Sequence, residues 1–311
     1  MKKISIVIPM YFEEKTVEQA YKRTKKVFEE LKQYSYEIIC VDDGSKDNTL
    51  AIIENIASKD KNVKVISFSR NFGHQSAITA GLKYTTGDAV VIMDCDMQDP
   101  PELIPDMIKL WENGNDVIYA KRKIRKGENR FKLYTAKMFY KLLNGISEIK
   151  IPEDTGDFRL ADRKVIDVIN ELPEHNKYLR GLFTWVGFKQ VPIEYERQET
   201  FAGKTKYSLT KMVKLASDGI TSFSKKPLKI LGGFGAISII ASILLFVYAI
   251  ISYIFKLNSL MPGWTSIMIT ITFFGGLQLM SIWLISEYIG KIFDESKNRP
   301  EYIIAKKVNL E

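Results

Sequence analysis

Five short apolar, β-rich runs alternate with helix-patterned segments in the first 122 residues, and no other feature constrains the fold as much. They are ISIVIP at 4–9, YEIICVDD at 36–43, VKVISFS at 63–69, DAVVIMD at 88–94 and DVIYAKR at 116–122. Strands separated by helices predict an α/β domain with a mostly parallel sheet, because parallel neighbours need a crossover connection and that connection covers the sheet faces. Ligands of such sheets bind beyond the carboxyl ends of the strands. The polar clusters PMYFEE, DDGSKDNT, SRNFGH and DCDMQDPP follow the first four runs, so all four are predicted on one rim.

The fourth run ends by presenting Asp94, Asp96 and Asp99 within six residues. Burying an unpaired carboxylate costs several kcal/mol or forces its neutralisation, so a cationic partner is expected there. A D-x-D at a strand end suits Mg²⁺ or Mn²⁺, which bind through one or two carboxylates together with substrate phosphates. Asp42 and Asp43 close the second run. Ser45 or Asp47 is read as capping the helix that follows, and Asp43 as a ribose or base contact. Arg70 and Asn71 either solvate their loop or face the same crevice. Of the basic set after the fifth run, Lys123 and Lys126 read as solvated surface. Arg122 and Arg125 are the phosphate candidates, since a guanidinium fork binds phosphate oxygens in bidentate fashion. In TGDFRLADR, Thr155 and Gly156 suggest a turn anchored by Phe158, which leaves Asp157 either as a chemical group or as a salt-bridge partner of Arg159. A further strand is read at KQVPIEYER, 189–197.

The second half has a different composition. Ile230 to Phe255 and Leu257 to Ile285 contain no charged residue. A bilayer-spanning helix needs roughly 20 apolar residues, so two transmembrane helices are expected. Lys225, Lys226 and Lys229 precede the first run, and Lys291, Lys297, Arg299, Lys306 and Lys307 follow the second, with Lys256 alone between them. The positive-inside rule then puts both termini in the cytoplasm of a multi-pass protein of the plasma or inner membrane. The apolar stretch near the N-terminus is too short for a secretory signal. Leu209, Met212, Val213, Ala216, Ile220 and Phe223 fall at helical spacing just before the first span, as in a helix lying in the interface. The expected organisation is a catalytic domain over 1–207, a juxtamembrane amphipathic helix over 208–229, a transmembrane hairpin over 230–290 and a basic tail over 291–311. The net charge of +8 is read as attraction to anionic lipid rather than to nucleic acid. Cys40 and Cys95 form no disulfide framework, and His74 and His175, lacking partners at ligand spacing, give no zinc site.

Taken in order, VIPMYFEE, VDDGSKDNT, SRNFGHQSAITAGL, GDAVVIMDCDMQDPPE, the spaced Arg122, Arg125 and Glu128, TGDFRL, GKTKYSL and SEYIGKIFDESKNRPEY resemble the family 2 glycosyltransferases. Within that family the resemblance is to polyprenyl-phosphate glycosyltransferases similar to bacterial bactoprenol glucosyltransferases and dolichol-phosphate mannose synthase. It implies a glycosyltransferase-A, Rossmann-like fold. Asp94 and Asp96, with Gln98 beside them, would hold the metal and nucleotide, and Pro9, Tyr11, Glu13 and Asp43 would surround the base and ribose. Asp157 is implied as base or acceptor-positioning group, and Arg122, Arg125, Arg197 and Lys206 as neighbours of phosphates. Partners implied are a nucleotide-sugar donor, UDP-glucose or UDP-N-acetylglucosamine on the bacterial resemblance while GDP-mannose would offer the same diphosphate, a polyprenyl phosphate acceptor such as undecaprenyl phosphate, the membrane, and further copies of the chain in a homo-oligomer. The sequence departs from the family pattern at Thr200, where relatives often carry arginine, and at Ser286, where glycine is common. Two rival readings are a processive polysaccharide synthase and a non-catalytic nucleotide-sugar sensor or scaffold. The first should carry a Q-x-x-R-W-type motif and more spans, and neither is present. The second has no need of the acids and arginines retained here.

Overall fold

The structure, a computed structural model, describes residues 1–122, 155–175, 177–196, 224, 226–255 and 264–310. Arg125, Arg197, Lys206, Lys123, Lys126, Glu128 and Thr200 lie outside the described residues, as does the amphipathic stretch from Ser208 to Phe223.

The strands form an eight-stranded sheet in the order β7-β5-β6-β4-β1-β2-β3-β8. The central strands are β1 (Lys2–Met10), β2 (Tyr34–Asp42), β3 (Val63–Phe68) and β4 (Ala89–Ile92), all joined in parallel. Their connections are the helices α1 (Val17–Glu30), α2 (Thr49–Lys59) and α3 (His74–Lys83). A short 3₁₀ turn at Pro101–Leu103 and α4 (Ile104–Glu112) lead to β5 (Val117–Arg122), which pairs in parallel with β7 (Gln190–Tyr195). The expected parallel sheet is therefore present, and its strands read as continuous apolar runs because both faces are covered: Ile4, Ile6, Val7, Ile38, Ile39 and Val91 are fully buried.

Two strands were not legible as strands. β6 (Thr155–Asp162) runs antiparallel between β4 and β5, so the segment TGDFRLAD is extended where a turn was expected. β8 (Ile304–Val308) pairs antiparallel with β3, so part of the basic tail is an edge strand. Its two lysines, Lys306 and Lys307, suit an edge, where charge discourages pairing with further strands. α5 (Arg163–Glu171) and α6 (Leu179–Trp185) connect β6 to β7. Asp162 starts α5 as an N-cap, its Oδ1 accepting from the Lys164 N–H at 3.0 Å.

Contacts divide the chain into two compact units, the sheet domain, which includes Arg299–Glu311, and a second unit within Ile220–Asn298. The second unit contains α7 (Lys226–Ile254) and α8 (Trp264–Ser296), with the Tyr288 hydroxyl donating to the Ser224 carbonyl at 2.7 Å. Counting the described residues alone, no helix is long and apolar enough to cross a membrane, so the expectation of two spans is not met by them.

Candidate active site at the carboxyl rim of the sheet

The rim is built by register. β4 and β6 pair Ile92 with Arg159, and continuing that antiparallel register by two residues sets Asp94 opposite Asp157. His74, the first residue of α3, completes the group: its Nε2 lies 3.3 Å from Asp157 Oδ2 and 3.5 Å from Asp94 Oδ1. Asp157 is 4% exposed, and Arg180 on α6 grips it with a fork, Nε to Oδ1 at 2.8 Å and Nη2 to Oδ2 at 2.8 Å. Burial pushes the Asp157 carboxyl up, but Arg180 and then His74 outweigh it and hold the group well below the usual carboxylate range. Burial acts on His74 in the opposite sense, yet the two carboxylates raise its imidazole to about 9. The salt bridge considered for Asp157 is thus real, with Arg180 as its partner instead of Arg159. The Arg159 guanidinium is turned away to the carbonyls of Gly156 and Asp157 at 2.9 and 3.2 Å, and lies 4.4 Å over the ring of Phe183.

Asp94 is crowded by like charge. Burial raises its carboxyl first; His74 counters this, and Asp157 and Asp96 push it further up. Among the described residues its Oδ1 has no hydrogen-bond donor, His74 Nε2 standing at ion-pair distance, 3.5 Å. Asp96 accepts from the Gln98 N–H at 3.0 Å through Oδ1, and Met97 between them adopts φ 65°, a costly conformation for a residue with a side chain. Among the described residues no group of three or more His, Cys, Asp or Glu side chains is arranged to hold a metal. The orphaned Oδ1 and the crowded acids nevertheless fit the mode in which two carboxylates and substrate phosphates share a divalent cation, since such a cation reverses the charge that raises Asp94. Asp99 is used differently. Buried at the foot of the loop and near Asp94, it is raised to about 7 and accepts from the Tyr195 hydroxyl at 2.8 Å. That hydroxyl in turn accepts from Arg122 Nε at 3.3 Å, which sets Arg122 at the end of β5 beside Gly156.

On the other side of the rim, Asp43 is 3% exposed and accepts from the Phe72 N–H (2.6 Å), the Gly73 N–H (3.0 Å) and Asn71 Nδ2 (2.8 Å). Asn71 therefore faces Asp43, whereas Arg70 lies 4.3 Å over the ring of Phe72. Asp42 is fully buried and structural, accepting from the Ser67 hydroxyl and the Ser45 N–H. The N-cap of α2 is Asn48, which makes no side-chain cap bond, in place of Ser45 or Asp47; Asp47, one residue earlier, accepts from the Thr49 N–H at 3.1 Å, and Ser45 accepts from the Phe12 N–H at 3.1 Å. Pro9 is an interior strand residue opposite Val41. Its missing N–H falls on the β4 side, beyond the last β1–β4 pair at Val7, where no ladder partner is needed. Tyr11 and Phe12 are exposed at 41% and 43%, edge to face, with Phe12 at φ 57°. Glu13 faces Thr16, whose hydroxyl donates to Oε2 at 2.6 Å. Cys40 and Cys95 are free and buried, and burial pushes the Cys40 thiol up to about 12.

The structure thus brings together Asp94, Asp96, Gln98, Asp157 and Arg122, with Pro9, Tyr11, Glu13 and Asp43 along the same rim. His74 and Arg180 were missed. His74 has no partner nearby in sequence, and Arg180 lies 23 residues from Asp157 with no motif around it.

Comparison with known proteins agrees with this architecture. Residues 5–169 match the model of glycosyl transferase family 2. The chain is 48% identical over 307 residues to the uncharacterized glycosyltransferase YkcC of Bacillus subtilis, covering 99% of this chain and 94% of that one. It is 44% identical to the prophage bactoprenol glucosyl transferase homolog of Escherichia coli, covering 97% and 98%. In fold it resembles glucosyl-3-phosphoglycerate synthase from Mycobacterium tuberculosis, crystallised with Mn²⁺, uridine diphosphate and phosphoglyceric acid. That likeness has a TM-score of 0.51 at 20% identity, over 71% of this chain and 76% of the other. With the motifs, the rim and the near full-length relatives in agreement, this chain is a glycosyltransferase and belongs to glycosyl transferase family 2.

Proposed function

We propose that the enzyme transfers one sugar from a nucleotide-sugar, UDP-glucose or UDP-N-acetylglucosamine, to a polyprenyl phosphate of the undecaprenyl type, with inversion, at the cytosolic face of a membrane. The observation that carries the chemistry is the pair Asp94 and Asp157, bridged by His74 Nε2 at 3.5 and 3.3 Å, with the Arg180 fork on both oxygens of Asp157. The acceptor class is supported by relatives named for bactoprenol glucosyl transfer along almost their whole length.

An acceptor phosphate oxygen attacks the anomeric carbon, its new bond replacing the one to the diphosphate oxygen, which leaves with the electron pair as nucleoside diphosphate. A phosphate monoester has a second pKa near ~6, so the nucleophile is already largely ionised at neutral pH and needs no strong base. Asp157 fits a positioning role, because both of its oxygens are engaged by Arg180 and its basicity is low. Asp94 and Asp96, with Gln98 beside them, are the residues that would hold Mg²⁺ or Mn²⁺. A bound divalent ion would supply neutralisation of the leaving diphosphate. Arg122 is held at the rim by Tyr195 and is available to phosphate oxygens.

Membrane attachment is supported by the sequence of α7 and α8. These helices have 29 and 33 residues, and the runs Ile230–Phe255 and Leu257–Ile285 are free of charge. Ile237, Leu244, Ile254, Phe273 and Trp283 are exposed, as suits contact with lipid. The acceptor reading is tested by comparing undecaprenyl phosphate with undecaprenol as acceptors for radiolabelled donor in detergent. Label in the lipid phase with the phosphate alone supports it; label on neither, with donor consumed, contradicts it.

A further inference from the structure

Three consecutive residues of the tail, Glu301, Tyr302 and Ile303, hold the loop after β3 from both flanks. On the β3 side, the Tyr302 ring stacks on Phe68 at 5.0 Å and 11°, and the Ile303 carbonyl accepts from the Ser69 N–H at 3.0 Å. On the α3 side, the Glu301 carboxyl faces the hydroxyls of Ser76 and Thr79, which themselves donate to the carbonyls of Phe72 and Gln75. Between these grips lies the segment whose Asn71, Phe72 and Gly73 donate to Asp43 and whose His74 reaches Asp94 and Asp157. Phe68 passes the contact inward, meeting Phe72 edge to face at 5.7 Å and 90°. The other end of β8 is fixed separately and far from the rim, where Asn309 Nδ2 donates to the carbonyls of Ala57 and Val63.

We propose that Tyr302 is a positioning residue for the nucleotide half of the site, setting through Phe68 and Phe72 the loop that orients Asp43 and His74. The proposal rests on the donor reading above. Aromatic pairs are directional, so an unstacked Phe68 leaves Phe72, and with it the N–H groups on Asp43, without a fixed orientation. The tail is then part of the donor site without touching the donor.

The test measures UDP and GDP binding, with Mn²⁺ present, to the full-length chain and its variants, together with their melting temperatures. Tyr302→Ala is expected to weaken binding of the preferred nucleotide about tenfold and Tyr302→Phe to restore it to within about twofold. Tyr302→Leu, which keeps apolar volume but no ring, should behave as the alanine variant does and serves if that one does not fold. Asn309→Ala should lower the melting temperature and leave the dissociation constant unchanged. A lowered melting temperature with unchanged binding in both Tyr302→Ala and Tyr302→Leu would overturn the proposal. Wild-type chain that binds neither nucleotide would instead overturn the donor reading, and the proposal with it.

Discussion

A buried carboxylate has to be paired, and Asp157 shows what its pairing does for this site. The Arg180 fork and the His74 ring keep it charged where burial alone would neutralise it. Removing one partner of such a pair leaves an uncompensated buried charge. Arg180→Met should therefore cost on the order of 3 kcal/mol in denaturant unfolding, with Arg180→Lys in between because it keeps the charge and loses the fork. An unaltered unfolding midpoint for Arg180→Met would mean the pair carries no weight. Asp96 makes the contrasting case. Asp96→Asn can keep the hydrogen bond from the Gln98 N–H while losing the charge, so turnover should fall by roughly 100-fold or more with little change in melting temperature. The acids of DCDMQDPP were legible as a site because three carboxylates crowded at the end of an apolar run call for a cationic partner. Their division of labour was not, since Asp99 is distinguished from Asp94 only by Tyr195, 96 residues away.

Elements place these residues. α3 must lie close on β1 and β2 for its first residue to reach the rim, and Gly81 permits this: a Cβ there would stand 2.3 Å from Val7 Cγ1 and 3.2 Å from Val41 Cγ2. Gly81→Ala should push α3 outward and lower the melting temperature by several degrees, measurably reducing turnover through His74. The opposite end of the sheet is joined through Glu37 on β2, which takes Lys3 at 2.9 Å, Lys64 at 2.7 Å and the Ser5 hydroxyl at 2.6 Å, from both flanking strands. Burial raises this carboxyl, but the lysines and hydroxyl outweigh it and bring it from 4.5 down to about 2. A depressed carboxylate stabilises the fold above its unfolded pKa, and that stability is lost as pH falls from about 4.5 towards 2. The loss should be of order 3 kcal/mol in denaturation across that window. Glu37→Gln should flatten this part of the profile, and an equally steep profile would assign the acid sensitivity elsewhere. The parallel strands were legible because burial on both faces makes them continuous apolar runs. β6 was not, because Gly156, Asp157 and Arg159 interrupt its apolar pattern and only the neighbouring strands β4 and β5 supply partners. β8 was not, because IAKKV is short and charged, as an edge strand can be.

At the scale of the molecule, the chain leaves the sheet after β7, runs through α7 and α8, and comes back to the sheet as β8. The charge-free runs that suggest a membrane and the tail strand that begins beside the Phe72 loop are therefore covalent neighbours. This order suits an enzyme whose acceptor stays in lipid and whose donor comes from water. A polyprenyl chain leaves the bilayer at a cost of about 0.8 kcal/mol per CH₂, so the phosphate has to be met at the interface. On this reading the rim joins those two substrates. It is tested most directly by presenting the full-length chain with radiolabelled UDP- and GDP-sugars and undecaprenyl phosphate in detergent, with Mg²⁺, Mn²⁺ or EDTA, and counting label in the lipid phase. One labelled lipid is expected, from a UDP-sugar, formed with Mg²⁺ or Mn²⁺ and abolished by EDTA. Label that persists in EDTA would contradict the role given to Asp94 and Asp96, and no label from any donor, in protein that binds nucleotide, would contradict the transfer itself.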